Sequence, residues 1–298
     1  MKKFELTDEF IIDDFGHKLF RIKALAYFGT IRAGELGGFV EKEENLSSDG
    51  DAWVYGNARV SGNAWVYGNA RVYGNARVSG DAWVYGNARV SGNAWVYGNA
   101  RVYGDARVYG DACVSGDACV YGNAWVSGNA WVSGNACVSG DACVSGDACV
   151  SGDACVYGDA CVYGDARVSG NACVSGDACV YGDACVYGDA RVSGNACVSG
   201  DACVSGDACV YGDARVSGNA DYAVVEGFGR YFRATTFFLC KDKILRVRCG
   251  CFYGDLAKFR EIVKKTHGDS KYAKEYLAIA DLMELHFSDE EGRQEATE

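Results

Sequence analysis

Cysteine is the residue of this chain best suited to chemistry, because thiolates bind soft metal ions and exchange electrons. The chain contains 16 cysteines, and all but Cys240, Cys249 and Cys251 follow one another at multiples of six residues. The Cys-x-x-Cys spacing of a zinc site is absent. Cys shares its repeating position with Arg and Trp, and single-base codon changes link the three, which favours drift after tandem duplication as the explanation of the pattern. Metal binding or redox chemistry at the thiols is the alternative interpretation.

Tryptophan and arginine occupy that same repeating position in the first part of the repeat. A guanidinium group stacks well on an indole ring, and an exposed surface of this kind suits a carbohydrate or a protein ligand. Simple coverage of the repeat is the alternative explanation. We predict that the surface consists of Trp53, Trp65, Trp83, Trp95, Arg71 and Arg89.

These residues lie in a strict six-residue repeat, [Asp/Asn]-Ala-x-Val-[Ser/Tyr]-Gly, which runs from Asp51 to Gly218. Its 168 residues form 28 hexads with no insertion or deletion. A fixed short period is typical of solenoids. Side chains alternate along a strand, so Ala-x-Val predicts a short strand with Ala and Val facing inward and x facing solvent. Gly and Asp or Asn tolerate positive φ and therefore predict the corner.

Read from the valine, the unit Val-[Ser/Tyr]-Gly-[Asp/Asn]-Ala-x resembles the hexapeptide repeat, in which a small residue follows an aliphatic one by four positions. The resemblance implies a mainly β fold, a left-handed parallel β-helix, which is a triangular solenoid of 18-residue coils. The 28 hexads would then make about nine coils. The chain is also similar to bacterial and phage proteins of unassigned function with nearly the same Gly-Asp-Ala-Arg-Val-Tyr repeat and similar flanks. Some of those proteins are labelled as transferases.

Three hexads per coil would stack residues that are 18 positions apart. Two of the resulting columns contain four consecutive cysteines, and a rung spacing of ~4.8 Å would allow disulfides between coils. We predict no metal site. The candidate ligands, should one exist, are Cys143, Cys161, Cys179, Cys197, Cys119, Cys137, Cys155 and Cys173.

Acyl transfer is the enzyme activity that the hexapeptide-repeat resemblance implies, with a histidine base near the helix and loops extruded from the coils. The histidines of this chain are His17, His267 and His286, which all lie outside the repeat, and no loop interrupts the hexads. A smooth solenoid offers few of the concave pockets that substrates need. We therefore predict a protein that is not an enzyme, with no catalytic residue and no cofactor.

The flanks differ from the repeat and predict terminal caps, which would cover the unpaired edges of a solenoid. Strands are predicted from Tyr231 to Leu239 and from Ile244 to Cys251, followed by helices capped by Asp255 and Ser270. The predicted domains are a β-rich N-terminal cap (1–50), the solenoid (51–220), a small α+β domain of one hairpin and two helices (221–287), and an acidic disordered tail (288–298).

Charge and composition exclude several classes of function. The net charge is −11, and the repeat carries 16 Asp against nine Arg, whereas a protein that binds nucleic acid through its phosphates needs the opposite sign. No apolar run approaches the ~20 residues of a membrane span, and the first residues do not resemble a signal peptide. We therefore predict a cytoplasmic location with reduced thiols, and no direct contact with nucleic acid or membrane.

The sequence favours a non-catalytic, rigid solenoid of bacterial or phage origin, acting as a scaffold or a protein-binding module. The expected partner is a protein that contacts the C-terminal domain, and the terminal domains could also join copies of the chain. Three alternatives stay open: an acidic mimic of DNA that binds a nucleic-acid-binding protein, a hexapeptide-type acyltransferase, and a metal-binding ladder of thiols.

Overall fold

The computed structural model describes residues 2–288. Each hexad forms one two-residue strand from its third and fourth residues, beginning with Trp53–Val54 (β4) and Arg59–Val60 (β5) and continuing every six residues to Arg215–Val216 (β31). Every Ala and Val of the repeat is buried, and the glycine at each corner, except the last, has positive φ. The predicted inward pair and the corner are both confirmed.

Contacts divide the chain into two units, Met1–Asp165 and Ala166–Glu298, and the division falls inside the repeat. In the first unit, each repeat strand pairs in parallel with the strand 18 residues away, as Trp53 does with Arg71. Three strands therefore make one turn, and three parallel sheets result. The third sheet has the strand order β6-β9-β12-β15-β18-β21 and begins at Trp65–Val66.

The 18-residue spacing and parallel pairing also hold within the second unit, where Cys179 pairs with Cys197. The chain is thus mainly β, a parallel β-solenoid with a small C-terminal domain that contains helices and an antiparallel sheet. Left-handed winding stays a prediction of the family resemblance.

A three-stranded antiparallel segment precedes the hexads. It consists of β1 (Phe4–Ile12), β2 (Lys18–Ala24) and β3 (Leu36–Val40), with a 3-10 turn at Glu43–Asn45. β3 then pairs in parallel with β5, so this segment continues one sheet of the first unit. The β-rich character predicted for residues 1–50 is confirmed.

The C-terminal domain contains a four-stranded antiparallel sheet, β32 (Tyr222–Val225), β33 (Thr235–Leu239), β34 (Leu245–Cys249) and β35 (Phe252–Asp255). Two helices follow, α1 (Leu256–His267) and α2 (Lys271–His286). Phe237, Phe259 and Tyr276 are among the residues that form their shared core. Among residues 2–288, neither helix is long and apolar enough to cross a bilayer.

Several details of the predicted C-terminal domain were wrong. The first strand begins at Thr235 instead of Tyr231, because Phe232 has a φ of 52°, which a strand does not accept. Strands β32 and β35 were not predicted. The predicted helix caps are confirmed, since the side chains of Asp255 and Ser270 accept the N–H groups of Lys258 and Ala273. Apart from Ser288, the predicted disordered tail lies outside the described residues.

Hydrogen-bond polarity explains how both terminal segments cover the repeat. Within a unit, the N–H groups of one coil donate to carbonyls of the next coil, as Arg191 N does to Ala208 O. The first coil is therefore left with unpaired carbonyls and the last coil with unpaired N–H groups, and either would be costly if buried. In the first unit, Lys3 Nζ donates to the carbonyl of Ala52. In the second unit, Thr236 Oγ1 accepts the N–H of Cys209.

Candidate functional site

A groove of about 970 Å³ lies on the third sheet of the first unit, and we call it the aromatic groove. Segment 42–48 forms one wall. Trp65, Trp83 and Arg101, from successive strands β6, β9 and β12, form the floor. The groove is completed by the polar residues Asn63, Asp81, Asn99 and Asp117.

The wall is held in place by buried Asn45. Its Nδ2 donates to the carbonyls of Gly62 at 3.1 Å and Ala64 at 2.8 Å, and its Oδ1 accepts the N–H of Lys42 at 2.9 Å. Leu46 continues the third sheet through an isolated parallel bridge to Val66. These contacts fix the wall relative to the floor before any ligand arrives.

Aromatic contacts order the floor. Trp65 stacks on Tyr67 with ring centroids 4.2 Å apart, and Trp83 meets Trp65 edge-on at 6.1 Å. The Arg101 guanidinium lies 5.2 Å from the Trp83 ring centroid, a cation–π contact. Trp65 and Trp83 nevertheless keep 38% and 37% of their surface exposed, so both indoles remain accessible to a ligand.

A column of tyrosines supports this floor from beside it. Tyr67, Tyr85, Tyr103 and Tyr121 stack face to face, with successive ring centroids 4.7, 4.8 and 4.9 Å apart. Burial raises the pKa of Tyr103 to about 12, with smaller contributions from neighbouring thiols and phenols. The phenols are therefore neutral at physiological pH and act as an uncharged, ordered support.

Corner side chains supply the polar edge of the groove. Asn63 Nδ2 donates to Asp81 Oδ1 at 3.0 Å, and Asn99 Nδ2 donates to Asp117 Oδ1 at 2.8 Å. Lys42 Nζ donates to Asn63 Oδ1 at 3.0 Å. Amides and carboxylates thus alternate from coil to coil, and Lys42 binds the first amide of the row.

The predicted Trp/Arg surface is divided among several places. Trp65 and Trp83 meet in the aromatic groove, whereas Arg71 and Arg89 line a separate cavity of about 310 Å³ with Tyr55 and Tyr73. Trp95 packs near Phe15, at 6.2 Å between ring centroids.

The prediction is wrong for Trp53, because this side chain is fully buried and presents no binding surface. It makes edge-on contacts with Phe4 and Phe28, which lie in the segment that precedes the repeat. The hexad rule places this side chain on the outer face of the coil, but the N-terminal segment covers that face.

The candidate thiols lie in register on their strands. In the first unit, Cys137 is flanked by Cys119 and Cys155, and Cys143 pairs with Cys161. In the second unit, Cys179 pairs with Cys197, and Cys173 pairs with Arg191.

No disulfide joins cysteines within residues 2–288. In the same range, no group of three or more His, Cys, Asp or Glu is placed to hold a metal ion. Burial raises the pKa of the Cys119 thiol, which favours the protonated form over the thiolate that metals bind.

Sequence reasoning missed Tyr67, Arg101 and the whole of segment 42–48 as parts of the site. The 18-residue period offered a signal for Arg101, which follows Trp65 and Trp83 in one column. It offered none for segment 42–48, which lies before the first hexad and has no repeat to place it.

Comparison with protein families connects the repeat to a known solenoid. A family model described as YdcK Beta solenoid repeat matches residues 52–68, 70–86, 82–98, 96–110, 100–116, 118–134, 160–176, 166–182, 184–200 and 190–206. All of these segments lie inside the hexad block, so the match concerns the scaffold and not the flanks. The search of curated proteins gives no match.

Proposed function

We propose that this chain, whose hexads match the YdcK β-solenoid repeat, is a non-catalytic scaffold that holds a ligand in the aromatic groove. The observation that carries the proposal is the pair Trp65 and Trp83, which stay exposed within an ordered concavity. Concave sites with aromatic linings and a few placed polar groups are where proteins usually bind ligands.

Preorganisation supports the proposal. Asn45 fixes the wall through two backbone carbonyls, and Tyr67 stacks on Trp65. A site that is ordered before binding loses little conformational entropy when the ligand arrives. The energy of indole contacts would then appear as affinity.

The non-catalytic part of the proposal rests on the surroundings of His17. Its Nδ1 lies 3.0 Å from Asp13 Oδ2, an arrangement that could orient a general base. Asp13 also accepts the backbone N–H groups of Phe15 and His17, so a structural role in the turn accounts for it. The cavity beside Asp13 and Phe15 measures about 20 Å³, roughly the space of one water molecule. His17 is not among the residues that line this cavity.

A protein partner for the C-terminal domain is a second candidate, favoured by its exposed loop. Tyr231 and Phe232 are largely exposed, and Phe232 is 72% exposed while holding a strained positive φ. Arg230 and Arg233 lie over the Tyr231 ring at 5.5 and 5.0 Å. An aromatic and cationic loop of this kind suits an acidic protein surface, since Tyr and Arg dominate binding hot spots.

The test of the groove compares full-length wild type with Trp65→Ala and Trp83→Ala for retention on immobilised glycans, peptides and folded proteins. Trp131→Ala is the matched control, because Trp131 occupies the same hexad position, is 54% exposed and lies in another sheet. We expect at least one ligand class to be retained by wild type and Trp131→Ala and lost by both groove variants. Retention that is the same for all four proteins, or absent for all, contradicts the proposal.

The second candidate is tested in the same screen with Phe232→Ala. A protein ligand that is lost by Phe232→Ala but kept by Trp65→Ala would assign partner binding to the C-terminal loop. If no protein ligand depends on Phe232, the C-terminal proposal fails.

A further inference from the structure

The polar groups that the aromatic groove presents come from side chains. The strands of its floor are already paired on both edges, since β9 lies between β6 and β12, and Leu46 bridges to Val66 on β6. A peptide binding as an added strand needs an unpaired edge with main-chain N–H and C=O groups. The groove offers amides, carboxylates and two cationic side chains instead.

Charges of both signs surround the indoles. The positive residues of the lining are Lys42 and Arg101, and the negative ones are Glu43, Glu44, Asp81 and Asp117, of which Glu43 forms an ion pair with Lys2. A polyphosphate would meet carboxylates here, although phosphate binding requires a basic surface. The excess of carboxylates disfavours an anionic ligand, and the indoles and amides suit an uncharged ligand that both donates and accepts hydrogen bonds.

Sugar rings combine these requirements. A pyranose has a face of C–H groups that packs on the electron-rich face of an indole, and a rim of hydroxyls that each donate and accept. The C–H face would lie against Trp65 or Trp83, and the hydroxyls would meet the Asn63–Asp81 and Asn99–Asp117 pairs. In each pair only Asp Oδ1 is engaged by the asparagine, which leaves carboxylate capacity for a ligand hydroxyl.

The groove is too large for one sugar and is open along the sheet. Its volume of about 970 Å³ lies near the upper end of ligand sites, which span ~300–1,000 Å³. Trp65, Trp83 and Arg101 succeed one another by one coil each, so the contacts form a row. A row of contacts along the sheet suits an extended chain of sugar rings.

We infer that the aromatic groove binds a neutral oligosaccharide, with Trp65 and Trp83 as stacking residues and Asp81 as an acceptor for ligand hydroxyls. This inference rests on the groove function proposed above and names its ligand.

The experiment uses the full-length chain on an array of neutral and acidic glycans. The best neutral hit is then titrated by calorimetry as its free hexasaccharide. We expect saturable binding that weakens about tenfold in Trp65→Ala and in Trp83→Ala, as loss of ~1.4 kcal/mol of contact would give. Trp131→Ala should bind like wild type.

Asp81→Asn separates loss of binding from loss of folding, because the amide has the same shape as the carboxylate and its oxygen can still accept the hydrogen bond from Asn63 Nδ2. It should retain the wild-type melting temperature and lose severalfold in affinity. The inference is overturned if no glycan is retained in a way that depends on Trp65 and Trp83. If retention of a peptide or protein depends on Trp65 and Trp83 instead, the proposed function of the groove is kept and only the oligosaccharide inference is rejected. If retention of no ligand depends on these residues, both the proposed function and the oligosaccharide inference are rejected.

Discussion

Lys3 Nζ lies 3.0 Å from the carbonyl oxygen of Ala52, so a buried ammonium group, and not a strand, closes this part of the first coil. The same nitrogen donates to Gly50 O at 3.2 Å and lies 4.7 Å from the Phe28 ring centroid. Burial lowers the pKa of Lys3 to about 8, although Asp51 and Asp49 oppose the shift. One side chain thus satisfies two carbonyls at the cost of desolvating a charge.

Lys3→Met should lower the free energy of unfolding at pH 7 by roughly 1–2 kcal/mol, because it leaves two buried carbonyls without a donor. The difference in unfolding free energy between wild type and Lys3→Met should increase between pH 8 and 10.5. In that window the unfolded chain keeps the lysine proton and the folded chain releases it, so wild-type stability rises by up to ~3 kcal/mol relative to the variant. Urea denaturation at pH 7, 8, 9 and 10 measures the difference, and tyrosine ionisation cancels because both proteins share it. A constant difference would show that Lys3 is not desolvated.

Thr236→Val should destabilise the second unit by about 1–3 kcal/mol. Thr236 Oγ1 accepts the N–H of Cys209 at 2.9 Å, and valine keeps the volume while leaving that donor unsatisfied. Hydrogen exchange at the Cys209 amide should accelerate. Thr235→Val is the control, because Thr235 is equally buried and its hydroxyl donates only to the Cys249 sulfur, a weak acceptor. Equal losses for the two variants would contradict the capping role of Thr236.

Asn123→Asp should destabilise the first unit by about 0.5–1 kcal/mol at low salt. Asn123 Nδ2 donates to Asp141 Oδ1 at 2.7 Å, and the change sets two carboxylates against each other between adjacent coils. Thermal melts in 0.02 and 1 M NaCl should show the loss shrinking with salt. Asp141→Asn, which recreates the Asn69–Asn87 pairing found at 3.1 Å, should be nearly neutral. A loss of stability that is the same at both salt concentrations would indicate a packing defect instead of charge repulsion.

The hexad determines local structure because each of its residues stacks on the equivalent residue of the adjacent coil. Val54 pairs with Val72, the equivalent residue of the next coil. An inward position inferred from one hexad therefore applies to the rest of the repeat. The aromatic groove and the burial of Trp53 depend on contacts with residues before Asp51, which no period predicts. Strand β35 was missed for a different reason, because Gly254 weakens its strand propensity and pairing with Val247 on β34 overrides that preference.

Trp53→Ala should cost about 3–5 kcal/mol, as for other buried aromatic residues that leave a cavity, whereas Trp131→Ala should change stability by no more than about 0.5 kcal/mol. The two tryptophans occupy the same position of the hexad, yet Trp53 is fully buried against Phe4 and Phe28 while Trp131 is 54% exposed. Trp53→Phe should recover most of the loss, because it refills much of the space and removes an indole Nε1 that has no hydrogen-bond partner among the described residues. Guanidinium denaturation of the three variants measures these differences, with near-ultraviolet circular dichroism to check the native packing. Similar losses for Trp53→Ala and Trp131→Ala would mean that position in the hexad, and not cover by the N-terminal segment, decides what a tryptophan contributes.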